Sequence, residues 1–238
     1  MKIIENNRAW VVCIKPSGAL STDEPGGMPE LLREALGLSK HYIYSVHRLD
    51  RVVAGLCVYA KKKEGAAALS EQIRDGSFKK EYLAVVHGAP AEPRGTYTDL
   101  LFRDTSENKT YVVKRMRKGV REAILNYELL GSAEGFSLVR IELVTGRTHQ
   151  IRAQFSSRGM PLAGDRKYGG GNDACPIALW SHRLAFDGRE FTAPPPEQYP
   201  WTLFPGHTQP YAPEDTELPD RRAHRDTLAA ADTAPGEP

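Results

Sequence analysis

His47-Arg48-Leu49-Asp50-Arg51-Val52-Val53-Ala54-Gly55 runs directly into the apolar stretch Leu56-Cys57-Val58-Tyr59-Ala60. An imidazole, a guanidinium and a carboxylate therefore stand together just ahead of a buried type of strand. Such a carboxylate can act as a nucleophile or a base. The arginine can hold a polyanion or keep the carboxylate ionised. Far downstream, Gly146-Arg147-Thr148-His149-Gln150-Ile151-Arg152 offers a partner cation, because an arginine close to an aspartate favours the anion. Alone, His-Arg-Leu-Asp is in most proteins a surface ion pair; its meaning comes from its companions.

Working outward, residues 10–14 read as a buried strand closed by the turn Lys15-Pro16-Ser17-Gly18, since proline and glycine both interrupt regular structure. Residues 19–27 read as a loop. Residues 28–36 place Leu31, Leu32 and Leu36 at helical spacing, with Gly37 as C-cap. Residues 42–46, 56–60 and 80–87 read as strands, and residues 64–75 as a helix ended by Gly76. Residues 96–102, 109–114, 123–130 and 136–144 continue in strand, with 131–135 as a hairpin connection. Residues 148–157 read as a helix N-capped by Thr148 and stopped by Gly159-Met160-Pro161. Residues 177–185 return to strand, and 197–203 form a short terminal turn or helix. Strands outnumber helices and come in consecutive runs. That predicts an α+β fold with a largely antiparallel or mixed sheet rather than a doubly wound one. After residue 205 the composition turns to proline, alanine and charge, so residues 1–205 are expected to form the domain and 206–238 a disordered tail.

The chain has 238 residues, 40% of them hydrophobic, enough for one sizeable core. A net charge of +2 means that any polyanion site must come from local clustering of lysine and arginine. Lys109, Lys114, Arg115, Arg117, Lys118 and Arg121 supply such a cluster, in or between two β segments. No stretch approaches the roughly 20 apolar residues needed to span a bilayer, and the N-terminal residues lack the apolar centre of a secretory signal. Cys13, Cys57 and Cys175 are odd in number and widely separated, which argues against a disulfide framework or zinc and for a reducing cytoplasm. His47, His149 and His182 lack metal-type spacing. Gly169-Gly170-Gly171 is followed by no Gly-Lys-(Ser/Thr) and reads as a turn. Neither metal nor cofactor is expected.

With these elements placed, the chain resembles the RluA-type RNA pseudouridine synthases, whose motif has the form His-Arg-Leu-Asp-x-x-(Thr/Ser)-Ser-Gly. The resemblance extends to residues 15–18, 80–88, 146–152, 161–169 and 178–194, in order, and so covers roughly residues 8–205. It departs from the family at Val53-Ala54, which replace a hydroxyl pair, and at Arg152-Ala153-Gln154, where a histidine often follows the Gln-Ile-Arg segment. The S4-type RNA-binding domain of many relatives is expected to be missing.

The resemblance implies the pseudouridine synthase catalytic fold, a central mixed or antiparallel sheet flanked by helices and loops. It implies that Asp50 is the essential aspartate, that Arg152 is its partner, and that Tyr82 packs on the target base and is a candidate for removing the C5 proton. It implies that Arg48 enters the RNA stack while the uridine is held outside it. Arg147 is a candidate phosphate contact at a helix start, and Lys114, Arg115, Arg117 and Lys118 are expected to form a polyanion-binding arm. His47 and His149 read as structural hydrogen-bonders. The expected partner is ribosomal or transfer RNA, with no cofactor, no obligate protein partner and a monomeric state. Two rivals stay open: a non-catalytic RNA-binding module on the same scaffold, and a hydrolase using Asp50 with His47 or His149.

Overall fold

The computed structural model describes residues 1–169 and 173–206; the stretch 207–238, with almost all of the expected tail, and Gly170-Gly171 of the expected glycine turn lie outside the described residues. The chain runs β1 (Lys2–Asn6), β2 (Trp10–Lys15), α1 (Met28–Leu36), β3 (Tyr44–Ser45), β4 (Ala54–Ala60), α2 (Lys63–Asp75), β5 (Lys79–His87) and β6 (Arg94–Asp104). It continues through β7 (Lys109–Val113), β8 (Val120–Ala133), β9 (Phe136–Leu143), α3 (Gln150–Ser156), β10 (Leu179–Phe186) and β11 (Arg189–Thr192), with a 3-10 turn at Trp201–Leu203. The strands form one 11-stranded sheet in the order β1-β2-β4-β10-β5-β9-β8-β6-β7, with β3 beside β4 and β11 beside β10. It is a mixed sheet: β4 and β10 run parallel, and the other pairs are antiparallel. The α+β expectation therefore holds.

Strand side chains alternate between two covered faces. Val11, Cys13, Cys57, Tyr59, Tyr82, Ala84 and Val86 pack with Met28 and Leu32 of α1 and with Ile151 and Phe155 of α3. On the opposite face Val12, Leu56 and Val58 meet Leu69 of α2 with Phe78 and Phe186, and Leu83 and Val85 meet Trp201 and Phe204. Burial on both faces explains why β2, β4 and β5 read as nearly continuous apolar runs rather than as alternating ones.

Three local expectations are corrected. The strand expected at residues 42–46 shrinks to Tyr44–Ser45, because Ile43 adopts a positive φ of 68°. The connection expected at residues 131–135 is mostly strand. β8 continues to Ala133 over an irregularity between Leu129 and Gly131, and the turn is Glu134-Gly135, both at positive φ (52° and 79°) as a tight hairpin requires. Thr148 does not cap α3. The helix starts at Gln150 after a left-handed His149, because the Gln150 side chain accepts hydrogen bonds from Thr145 Oγ1 and the Arg147 N–H (both 2.9 Å) and holds the preceding residues as a loop.

Gly55 lies where the single parallel pairing begins. It has φ +121°, and a Cβ there would stand 2.5 Å from the backbone N and O of Ser181. Gly55→Ala is expected to cost on the order of 3 kcal/mol through combined strain and overlap, read as a lowered urea midpoint. An unchanged midpoint would show that β10 yields freely at this contact.

Candidate active site

The Asp50 loop has no regular structure of its own and is held by hydrogen bonds along its length. Ser21 Oγ donates to the Leu49 carbonyl and accepts from the Leu49 N–H (2.9 and 3.0 Å). Gly18 N–H donates to the Arg51 carbonyl at 2.7 Å, Arg51 Nε donates to the Gly18 carbonyl at 3.0 Å, and Ser17 Oγ donates to the Val52 carbonyl at 2.8 Å. Lys15 is fully buried at the end of β2. Its ammonium donates to the carbonyls of Pro16, Ala19 and Arg51. Burial lowers its pKa to about 8. The Lys-Pro-Ser-Gly turn is thus the bracket that carries Asp50.

His47 anchors the other end of the loop. Val58 N–H donates to its Nε2 at 3.1 Å, which fixes a neutral ring with the proton on Nδ1. Burial pushes its pKa down to about 3. The unfolded chain takes up this proton near pH 6.5, while the native state refuses it until about pH 3, so stability falls as pH drops through that window. His47→Gln is expected to lessen the loss of urea midpoint between about pH 7 and about pH 4.5; an equal loss in both proteins would remove His47 from this account.

Asp50 is partly exposed, and Arg152 Nη1 donates to its Oδ2 at 3.0 Å. The same guanidinium makes a two-pronged bond to Asp165, Nε to Oδ2 and Nη2 to Oδ1, both 2.8 Å. Arg152 is 5% exposed and Asp165 1%. Burial works against the arginine's charge, but Asp165 and then Asp50 outweigh it and raise its pKa. Two carboxylates face one guanidinium. The cation is thus shared, with two bonds to Asp165 and one to Asp50. Both His149 and Arg152 approach Oδ2, and among the described residues no hydrogen bond reaches Oδ1.

Tyr82, on β5, is 5% exposed and shares a packed cluster with Leu49, Val53 and Ile151. Its pKa is raised, first by burial and further by Cys57 and the Asp50 charge. Arg48 is exposed and forms no ion pair among the described residues. Lys114, Arg115, Arg117 and Lys118 are all exposed on the β7–β8 connection, with the Arg117 guanidinium over the Phe102 ring at 4.8 Å. β7 is tied toward the site at Thr110, whose Oγ1 donates to the Thr148 carbonyl at 3.0 Å. Arg147 is exposed, with Nε donating to the Glu122 carbonyl at 2.8 Å, and it precedes the helix rather than starting it. Among the described residues no cluster of His, Cys, Asp or Glu is placed to hold a metal ion.

Sequence reading missed Asp165 and Tyr168. Both lay inside the recognised segment 161–169, but neither had a partner to suggest a role. Gly164 offers a signal in retrospect. At φ +71° its Cβ would overlap the carbonyls of Pro176 and Cys175 (2.4 and 2.6 Å), so the turn that delivers Asp165 tolerates only glycine.

A family model described as RNA pseudouridylate synthase matches residues 9–157. The Bacillus subtilis protein named as the uncharacterized RNA pseudouridine synthase YhcT is 32% identical over 180 residues, 71% of this chain and 58% of its own length. The ribosomal large subunit pseudouridine synthase C of Buchnera aphidicola (strain Bp) is 34% identical over 170 residues, 70% of this chain and 53% of its own length. The chain thus spans little more than half the length of these curated relatives. Two human structures share the fold. RNA pseudouridylate synthase domain containing 4 has a TM-score of 0.70 at 21% identity, covering 82% of this chain and 88% of its own. Domain containing 1 has a TM-score of 0.69 at 22% identity, covering 100% and 96%.

Proposed function

The chain belongs to the RNA pseudouridylate synthase family, and from that membership we propose that it isomerises uridine to pseudouridine in structured RNA, with Asp50 as the essential group. The reaction breaks the N1–C1′ bond, turns the uracil and joins C5 to C1′. C5 loses a proton and N1 gains one, so the atoms balance within the nucleoside without donor, oxidant or cofactor. Attack on the sugar and attack on the base both begin from an available carboxylate oxygen. The observation that carries this reading is Arg152 shared between Asp165 and Asp50, with no hydrogen bond to Asp50 Oδ1 among the described residues. It supports an oriented anion that keeps its reactivity.

Tyr82 supplies the ring that packs on the extruded base, a contact on the order of 1–3 kcal/mol. Its burial, which favours the neutral phenol, supports packing over proton removal. Arg48, exposed and without an ion pair among the described residues, suits the space left when the uridine swings out. The substrate is ribosomal or transfer RNA; the Buchnera relative, named for the large ribosomal subunit, favours the first. No described helix is long and apolar enough to cross a membrane, and the three cysteines are free; we read the protein as a cytoplasmic monomer whose catalytic domain ends near residue 205.

The exposed cations of the β7–β8 connection are the arm that meets phosphate. Replacing Lys114, Arg115, Arg117 and Lys118 with alanine is expected to flatten the plot of log affinity against log salt by about 0.7–1 per lost phosphate contact. Filter binding across a salt series checks it, and an unchanged slope would take the arm out of RNA binding. The activity itself is tested by tritium release from RNA containing 5-tritiated uridine, with the RNA weighed before and after. Release at constant mass supports the isomerase. Free uracil or chain cleavage supports the hydrolase, and binding without release supports the non-catalytic module.

A further inference from the structure

His149 adopts φ 55°, a left-handed conformation that costs a non-glycine residue on the order of 1–2 kcal/mol. That conformation sets its ring between Asp50 and Tyr168. Nδ1 lies 2.9 Å from Tyr168 Oη, and Nε2 lies 3.7 Å from Asp50 Oδ2. The two rings meet edge to face at 86°. Tyr168 Oη already accepts the Thr110 N–H at 2.7 Å, and the Arg152 guanidinium lies over the Tyr168 ring at 5.0 Å.

The protons on this path can be assigned. With one lone pair taken by Thr110, the tyrosine hydroxyl has its own proton to give, and Nδ1 of a neutral histidine is the acceptor beside it. The ring proton then sits on Nε2, facing the carboxylate. The other tautomer would aim a nitrogen lone pair at a carboxylate oxygen. Burial holds the histidine below its ordinary pKa, and Arg152 and Lys167 act in the same sense against Asp50 and Asp165. On balance these effects favour the neutral ring.

We propose that His149 is a positioning residue which, locked by Tyr168 with its proton on Nε2, joins Arg152 in reserving Asp50 Oδ2, so that Oδ1 is the oxygen that meets the nucleoside. The inference rests on the isomerase reading and adds which carboxylate oxygen reacts. At 3.7 Å the Nε2–Oδ2 separation is longer than a hydrogen bond, so the ring acts on Oδ2 as a nearby N–H dipole.

The first test needs no activity. Long-range proton–nitrogen correlation on the 15N-histidine-labelled full chain is expected to show His149 with an imine-type Nδ1 and a pyrrole-type Nε2 at neutral pH. An Nδ1–H tautomer or an imidazolium overturns the proposal. The second test is kinetic. His149→Asn suits a left-handed residue and keeps a partner for Tyr168, but its shorter side chain removes the donor that faces Asp50. It is expected to lower kcat about 10–100-fold with KM for RNA within about twofold, and His149→Gln, whose amide reaches as far as Nε2, is expected to recover most of the loss. Full kcat in His149→Asn, with wild type active, overturns this inference alone. A wild type that forms no pseudouridine overturns the isomerase reading and this inference together. If His149→Asn does not fold, as its urea transition would show, the tautomer measurement decides.

Discussion

Asp50→Asn is expected to lower the rate of pseudouridine formation by about 10⁴-fold or more while RNA affinity changes by less than about threefold. Asparagine matches aspartate in shape, and its amide oxygen can still accept the Arg152 Nη1 bond that now reaches Oδ2 at 3.0 Å. Arg152 also keeps its two bonds to Asp165. The fold should therefore be nearly indifferent to the change, with a urea midpoint close to wild type. What disappears is the anion, and with it the capacity to attack sugar or base. Rate and binding should separate because Arg48, Lys114, Arg115, Arg117 and Lys118, the cations proposed to meet RNA, are exposed side chains outside the Asp50–Arg152–Asp165 cluster. Tritium release in single turnover, with mass analysis to exclude deamidation back to aspartate, gives the rate. A variant that turns over at the wild-type rate would remove Asp50 from the chemistry.

What could be read from the chain alone follows from how local each signal is. α1 was legible to its last residue because Leu31, Leu32 and Leu36 share a helical face and Gly37 supplies the left-handed cap (φ 62°). β2, β4 and β5 were legible because burial on both faces gives each a nearly continuous apolar run, Tyr82 to Val86 in β5. β1 and β11 were not, since Lys2–Asn6 alternates between exposed and half-buried and Arg189–Thr192 is only four residues long. The start of α3 was misread because the loop before it is shaped by Gln150, a contact invisible to capping rules. At the site, the family resemblance brought Asp50 and Arg152 into one proposal across 102 positions. It could not show that Arg152 has a second carboxylate. Nor could it separate His47, an acceptor held by Val58, from His149, which faces Asp50, because each is a lone histidine with no metal-type spacing to give it a role. Family resemblance named the acid; only the geometry of the guanidinium shows how its charge is shared.

That sharing makes Arg152→Met the more severe change for the fold. The substitution strips Asp165, 1% exposed, of both guanidinium bonds and leaves a buried carboxylate with no cation. Breaking a buried pair from one side costs about 3–5 kcal/mol, most of it the penalty of the orphaned charge rather than the worth of the pair. The double variant Arg152→Met with Asp165→Asn removes that charge and is expected to recover most of the lost stability, a coupling of about 2–3 kcal/mol in a double-mutant cycle. It should recover no activity, because Asp50 would still lack its orienting donor. Arg152→Lys should fare little better than methionine in catalysis, since an ammonium cannot span Asp165 and Asp50 in one plane as the guanidinium does. If Arg152 were a solvated residue whose task is to bind backbone phosphate, Arg152→Met would cost less than about 0.5 kcal/mol and would weaken RNA binding instead. Urea unfolding of the two single variants and the double, beside RNA affinity and tritium release for each, separates the two accounts. Near-additive stabilities with a selective loss of RNA affinity would refute the shared-arginine site.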